Sequence, residues 1–188
     1  DFSKLFKIKD VSVIETLLNI FMEDPGEIVE LSKLASELNI SRQTLSEYLS
    51  YLEDYFLILK LYNFSKNRRK IERKLKRYYP TIISVDLLFK EDELSKSKIF
   101  EWLIVNQLKA EFFWRDAYKN EVDTVLANKK ITPIEIKHGK IDLKGLLAFM
   151  KKFKINEGFV ISNNIEKKQK INNYLINIIP AFKFLLNF

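Results

Sequence analysis

The sequence predicts a mixed α+β (α/β) chain in two parts, and three observations carry that prediction. Apolar residues recur at three- and four-residue spacing in three stretches between Val11 and Leu52, which is the period of helices with one buried face. From Phe56 onward, short runs rich in β-branched and aromatic residues alternate with two further helical stretches. With 47% hydrophobic and 13% aromatic residues among 188, the chain can build one or two small cores without covalent staples.

The first helix places Val13, Ile14, Leu17, Leu18 and Phe21 on one face and stops at Asp24-Pro25-Gly26, where proline and glycine break the pattern. Leu31, Leu34, Ala35 and Leu38 make a second, short helix, which Asn39-Ile40 closes. Ser41 caps the third by accepting from an otherwise unpaired N–H. This helix turns Leu45, Tyr48, Leu49 and Leu52 to one side and Arg42, Gln43, Ser46, Glu47 and Ser50 to the other. Helix, short helix, tight turn and longer helix is the helix-turn-helix plan. Phe56 to Tyr62 is too short and too β-rich to be another helix, and Tyr78 to Val85 reads as a second strand. Paired as a wing, the two complete an N-terminal winged helix-turn-helix domain over residues 1–88.

The connection between these strands carries the charge. Lys66, Arg68, Arg69, Lys70, Arg73, Lys74, Lys76 and Arg77 face Glu72 alone, so the basic segment 66–77 holds the whole formal charge of +7. Clustered cations suit a polyanion, because each neutralised phosphate releases counterions; a solvated loop is the rival reading. The candidate DNA contacts are therefore Lys66, Arg68, Arg69, Lys70, Arg73 and Lys74, together with Arg42, Gln43 and Thr44 at the start of the third helix. A reading helix meets base edges there, and its N-terminus favours phosphate. Packing of that helix on another protein is the alternative.

Residues 89–188 read as a second domain. A polar stretch from Glu91 to Lys98 leads into a helix with Phe100, Leu103, Ile104, Gln107 and Leu108 on one face. Three strands follow, Phe112 to Arg115, Glu121 to Leu126 and Ile131 to Lys137, with a hairpin turn at Asn128-Lys129-Lys130. Then come an amphipathic helix from Leu143 to Phe153 and an apolar strand from Gly158 to Ser162. Asn163 to Asn173 reads as a surface helix or loop, and Ile176 to Pro180 as a last strand before a closing helix. Trp102, Trp114, Phe112 and Phe113 lie in periodic apolar runs and are expected in the core rather than as stacking platforms.

The order α-β-β-β-α-β is that of the restriction-endonuclease-like PD-(D/E)XK core, and the residue types this core uses are present. Side chains alternate along a strand, so Glu135 and Lys137 share one face while Ile134 and Ile136 take the other, toward the core. Asp123 on the neighbouring strand would reach the same Mg²⁺ as Glu135, a hard cation that prefers oxygen ligands. Phosphodiester hydrolysis needs a metal, an attacking water and a cation near the developing charge. Lys137 would be that cation, and Glu101, one helix away, would orient a water or a second metal. The rival reading is a hairpin with charges on its solvent face. Mg²⁺ or Mn²⁺ would be the cofactor of an active site. A nuclease fold that only binds is the non-enzymatic alternative.

Other classes are excluded by composition. The chain has no cysteine, which removes disulfides and zinc-thiolate sites and fits a reducing cytoplasm. His138 is the single histidine, so no His-rich metal site can form, and it is expected at a structural or rim position. No apolar run approaches the ~20 residues of a membrane helix, and the acidic start is not a signal peptide. Only four glycines are present and none makes a P-loop, so this chain cannot cradle ATP in that way.

The string from Leu38 to Leu59 and the later Asn63-Phe64-Ser65-Lys66-Asn67 resemble a prokaryotic, archaeal-type family of P-loop (AAA+-like) ATPases. In that family a P-loop domain precedes a winged helix and a terminal domain of unknown function (DUF4143) of PD-(D/E)XK nuclease-like type. The resemblance implies metal and catalytic roles for Asp123 in "EVD" and for Glu135 and Lys137 in "PIEIK", and a water-orienting role for Glu101 in "FEWLIVNQL". Val122 stands where the motif's name has proline. The resemblance also implies that ATP is bound only by an N-terminal ATPase domain. A chain starting without methionine on an apolar stretch is accordingly expected to be part of something longer. DNA, the favoured nucleic acid, and that ATPase domain are the expected partners; the oligomeric state is left open.

Overall fold

Four helices in this chain begin where a side chain, Asp10, Ser41, Ser84 or Asp92, satisfies one of their first free N–H groups. The computed structural model describes residues 10–67, 69, 71 and 75–186. Asp10 accepts from Ser12 N at 2.9 Å and opens α1, Val11–Glu23. After Gly26, whose φ of 86° suits a residue without Cβ, come β1, Glu27–Val29, and α2, Leu31–Glu37. Asn39 takes a φ of 54° in the tight turn. As expected, Ser41 Oγ accepts from Thr44 N at 3.0 Å and caps α3, Arg42–Asp54. Strands β2, Ile58–Asn63, and β3, Lys76–Pro80, follow.

The chain divides into two compact units, Asp1–Lys60 with Leu75–Lys90, and Leu61–Lys74 with Glu91–Phe188. In the first unit, β3 lies between β1 and β2, and β1 pairs with it antiparallel through Ile28 and Arg77. The core of this unit joins Ile14, Leu17 and Phe21 of α1 to the predicted face of α3, Leu45, Tyr48, Leu49 and Leu52. Tyr78 of β3 stacks on Phe21 with ring centres 5.4 Å apart. One expectation fails here. The second wing strand stops at Pro80, and Ser84 instead caps a short helix α4, Val85–Leu88, accepting from Leu87 N at 3.1 Å. The β-branched run Thr81 to Val85 mimics a strand, but the serine offers the backbone a helical start.

In the second unit, α5 spans Glu93–Leu108. The polar stretch expected before the helix is in fact its first turns, because Asp92 caps it through Ser95 N and Ser95 Oγ at 2.9 and 2.7 Å. Strand β4, Phe112–Arg115, pairs parallel with Tyr62 and Asn63 of β2 and antiparallel with β5, Glu121–Val122. The strand expected from Glu121 to Leu126 is two strands, since the chain leaves β5 at Asp123 and enters β6, Thr124–Leu126, in another sheet. That sheet has the order β6-β7-β8-β10-β9. Its members β7, Thr132–Lys137, β8, Glu157–Ser162, and β10, Tyr174–Pro180, are parallel neighbours, and α6, Lys144–Phe153, joins β7 to β8. The lysine-rich stretch expected as a helix or loop holds the edge strand β9, Lys167–Ile171, and its solvated lysines suit an edge that must not recruit another strand. Helix α7, Ala181–Leu186, closes the described chain.

Trp114, Phe113 and Phe149 are fully buried, and Phe64 packs with Trp114, Val122, Val125 and Phe149. Phe112 and Trp102 are half-buried. No helix among the described residues is long and apolar enough to cross a membrane.

Candidate functional site

Asp123 occupies the point where the chain passes from one ladder to the next. Freed from strand pairing, its carboxylate turns to the backbone of β7, and Oδ2 accepts from Ile136 N at 2.7 Å and from Lys137 Nζ at 3.4 Å. Lys137 Nζ also lies 2.7 Å from Glu135 Oε1. One ammonium therefore bridges two carboxylates that the sequence separates by a dozen residues.

The register explains why this cluster is dry. Glu135 and Lys137 stand opposite Val160 and Ser162 of β8 and share their face. Val160 belongs to the core formed with Leu146 and Met150 of α6, and Ile134 and Ile136 take the other face beside Phe159 and Ile161. The predicted alternation is present, but the acidic face is covered as well as the apolar one. Asp123 and Glu135 are each only 6% exposed, which rules out a solvated charged hairpin.

Burial pushes the Glu135 carboxyl up to about 8, with the Asp123 charge adding to the shift and Lys137 opposing it. Burial alone would lower the Lys137 ammonium, but the Asp123 and Glu135 carboxylates outweigh it and hold the lysine above its ordinary range. Lys137 thus stays a cation between the two carboxyl groups, and burial favours the protonated form of Glu135. Glu135 Oε2 is buried with no hydrogen-bond partner. A buried polar atom without a partner is costly, and here it marks a place where a ligand can add a contact.

Glu101 is half-buried on α5, a helix packed against β7, and its charge acts on both Glu135 and Lys137. Among the described residues no three His, Cys, Asp or Glu side chains form a ready metal-binding group. The fit for Mg²⁺ accordingly rests on Asp123 and Glu135, both oxygen donors, with Oε2 of Glu135 unengaged. These donors suit a hard cation that keeps several waters.

The other candidates lie apart from this cluster. Arg42 and Gln43 are exposed at the first turn of α3, and Gln43 Nε2 donates to Glu47 Oε1 at 3.2 Å. Thr44 is drawn into the cap, its Oγ1 lying 2.9 Å from Ser41 Oγ. Lys66 and Arg69 are exposed, whereas Arg68, Lys70, Arg73 and Lys74 lie outside the described residues. Arg77 of the basic segment is buried in β3 and donates to Tyr79 Oη at 3.3 Å. His138 lies past the end of β7, half-buried against α5, edge-on to Phe100 and 3.7 Å from Glu93 Oε2. The Ile136 N–H that holds Asp123 escaped the sequence reading, because a backbone donor has no signature in residue type.

Residues 1–81 match the model of a family described as a domain of unknown function (DUF8612), and residues 96–184 match that of a domain of unknown function (DUF4143). No curated protein and no solved structure matches the chain.

Proposed function

We propose that this chain engages DNA and that its second unit is a PD-(D/E)XK nuclease-like domain built for metal-dependent phosphodiester hydrolysis. The observation that carries the reading is the buried Asp123–Lys137–Glu135 cluster at the carboxyl end of a parallel strand pair, where sites in such sheets form. In this reading Asp123 and Glu135 hold Mg²⁺ or Mn²⁺, which when bound polarises the phosphate and lowers the pKa of a water. Lys137, a cation at every working pH, stabilises the negative charge that develops on the phosphate oxygens. Ile136 N–H fixes the Asp123 carboxylate, and the dry face of β7 strengthens each of these electrostatic contacts. Glu101 orients a water from the helix side.

The first unit supports a winged-helix reading. Its order α1-β1-α2-α3-β2-β3, with β3 between β1 and β2, supports reading α3 as the helix that meets DNA, with Arg42 and Gln43 at its exposed start. The basic segment is its phosphate contact, and an ATPase domain is the partner that this reading assigns to both units.

The test is cleavage of supercoiled, linear and single-stranded DNA with Mg²⁺ or Mn²⁺ by the full chain and by Asp123→Ala and Lys137→Ala. Metal-dependent cleavage lost in both variants is the expected result. DNA binding without cleavage by any form would sink the hydrolytic part and leave a regulatory binding module.

A further inference from the structure

Away from the carboxylate cluster, the second unit has a concavity of about 460 Å³ lined by Lys151, Lys154, Asn156, Asn172, Asn173 and Tyr174. It lies where the last turn of α6 meets the β9–β10 hairpin, and Leu175 N donates to Asn156 O at 2.7 Å to tie the two together. Its lining has no carboxylate. Lys151 and Lys154 are exposed, and neither is engaged in an ion pair among the described residues. Solvated lysines on an open surface would be unremarkable in the literal sense, but these two share a concave wall with three carboxamides, each carrying N–H donors. Such a lining offers charge and hydrogen bonds to phosphate oxygens and nothing that repels them.

The patch continues into the basic segment. The Phe153 ring has Lys152 Nζ at 6.0 Å and Lys66 Nζ at 5.9 Å from its centre, and Lys152 also lies 5.2 Å from the Trp114 ring centre. Lys66 and Lys152 thus flank the ring of Phe153, the residue between Lys152 and Lys154, so further cations lie at the same helix end as the concavity, where a repeating anion can meet more than one.

We infer that this concavity is a second nucleic-acid contact of the same domain, a phosphate-binding exosite that holds the DNA backbone at a distance from the carboxylate cluster. The inference rests on the DNA-engaging reading above. Asn156 precedes β8, and Ser162 at the far end of β8 pairs with Lys137. At ~3.3 Å per strand residue the two places are about 20 Å apart, the length of roughly six steps of DNA. The exosite would thus grip a backbone several nucleotides from the bond at the carboxylates.

The test is the affinity of the full chain for fluorescein-labelled duplex and single-stranded DNA, measured by anisotropy in EDTA over a range of salt. The Lys151→Gln/Lys154→Gln protein is compared with Lys167→Gln/Lys168→Gln, which removes as much charge from the edge strand. Loss of two phosphate contacts should weaken binding roughly 60-fold at about 0.1 M salt and flatten the salt slope by about 2, while the edge-strand pair changes little. Equal losses in both pairs, unchanged binding in the first, or no binding by the unaltered chain would each overturn the exosite. Binding in EDTA is independent of hydrolysis, so the expected binding pattern combined with no cleavage in the separate Mg²⁺ or Mn²⁺ assay would remove the hydrolytic reading and leave the exosite standing.

Discussion

Glu135 shows how one residue type takes its chemistry from its surroundings. A carboxyl at the surface ionises far below neutrality, yet here burial first and the Asp123 charge second push it up to about 8. The folded-state value lies above the unfolded one, so the stability that the protonated form contributes is fully present below the ordinary carboxylate value and is lost as pH rises toward 8. In EDTA, the melting temperature should fall between about pH 5 and 8, and Glu135→Gln, which keeps the neutral shape, should flatten that dependence. A variant with the same slope as the parent would show that another group titrates. The pair Glu135 and Lys137 was legible in the sequence as E-x-K on a strand. The dryness that gives them their ionisation was not, because alternation names a face without saying what covers it.

Among the elements, α6 depends most on one small residue. A Cβ at Gly145 would stand 1.8 Å from Glu121 O, so the first turn of this helix lies against the backbone of β5, two residues before Asp123. Backbone cannot step aside as a flexible side chain can. Gly145→Ala should therefore cost about 3 kcal/mol or more in urea unfolding and, by displacing β5, should disturb Asp123 more than a distant core change of equal cost. A neutral outcome would mean that α6 can slide on the strand. The helix itself was evident from its period, and its buried Leu146, Phe149 and Met150 recur at three and four. The contact behind Gly145 was not, since a glycine near a helix start reads the same whether it is free or pinned. Likewise β1 has three residues, too few to show a period, and emerges only through its pairing with β3.

At the scale of the whole molecule, the chain crosses between its units three times, and strand β2 is divided, Ile58–Lys60 going to the first unit and Leu61–Asn63 to the second. Phe64, which follows it, is 5% exposed in the core around Trp114 and Phe149. Phe64→Ala should cost about 3–5 kcal/mol, and hydrogen exchange should quicken in β7 and β8 while α1 and α3 keep their protection. Faster exchange confined to α1 and α3 would place Phe64 in the other core. By itself the sequence determined the helices and strands that have a clear period, the cap at Ser41, the concentration of charge between Lys66 and Arg77, and the acidic and basic candidates on β7. These are properties of neighbouring residues, which local chemistry controls. Only the tertiary structure decided that Asp123 leaves its ladder to meet Lys137, that both faces of β7 are covered, that Arg77 is withdrawn from the surface, and that Lys151 and Lys154 share a wall with Asn172 and Asn173. Those facts depend on residues far apart in the chain, brought together by strand register and helix packing that no local pattern encodes.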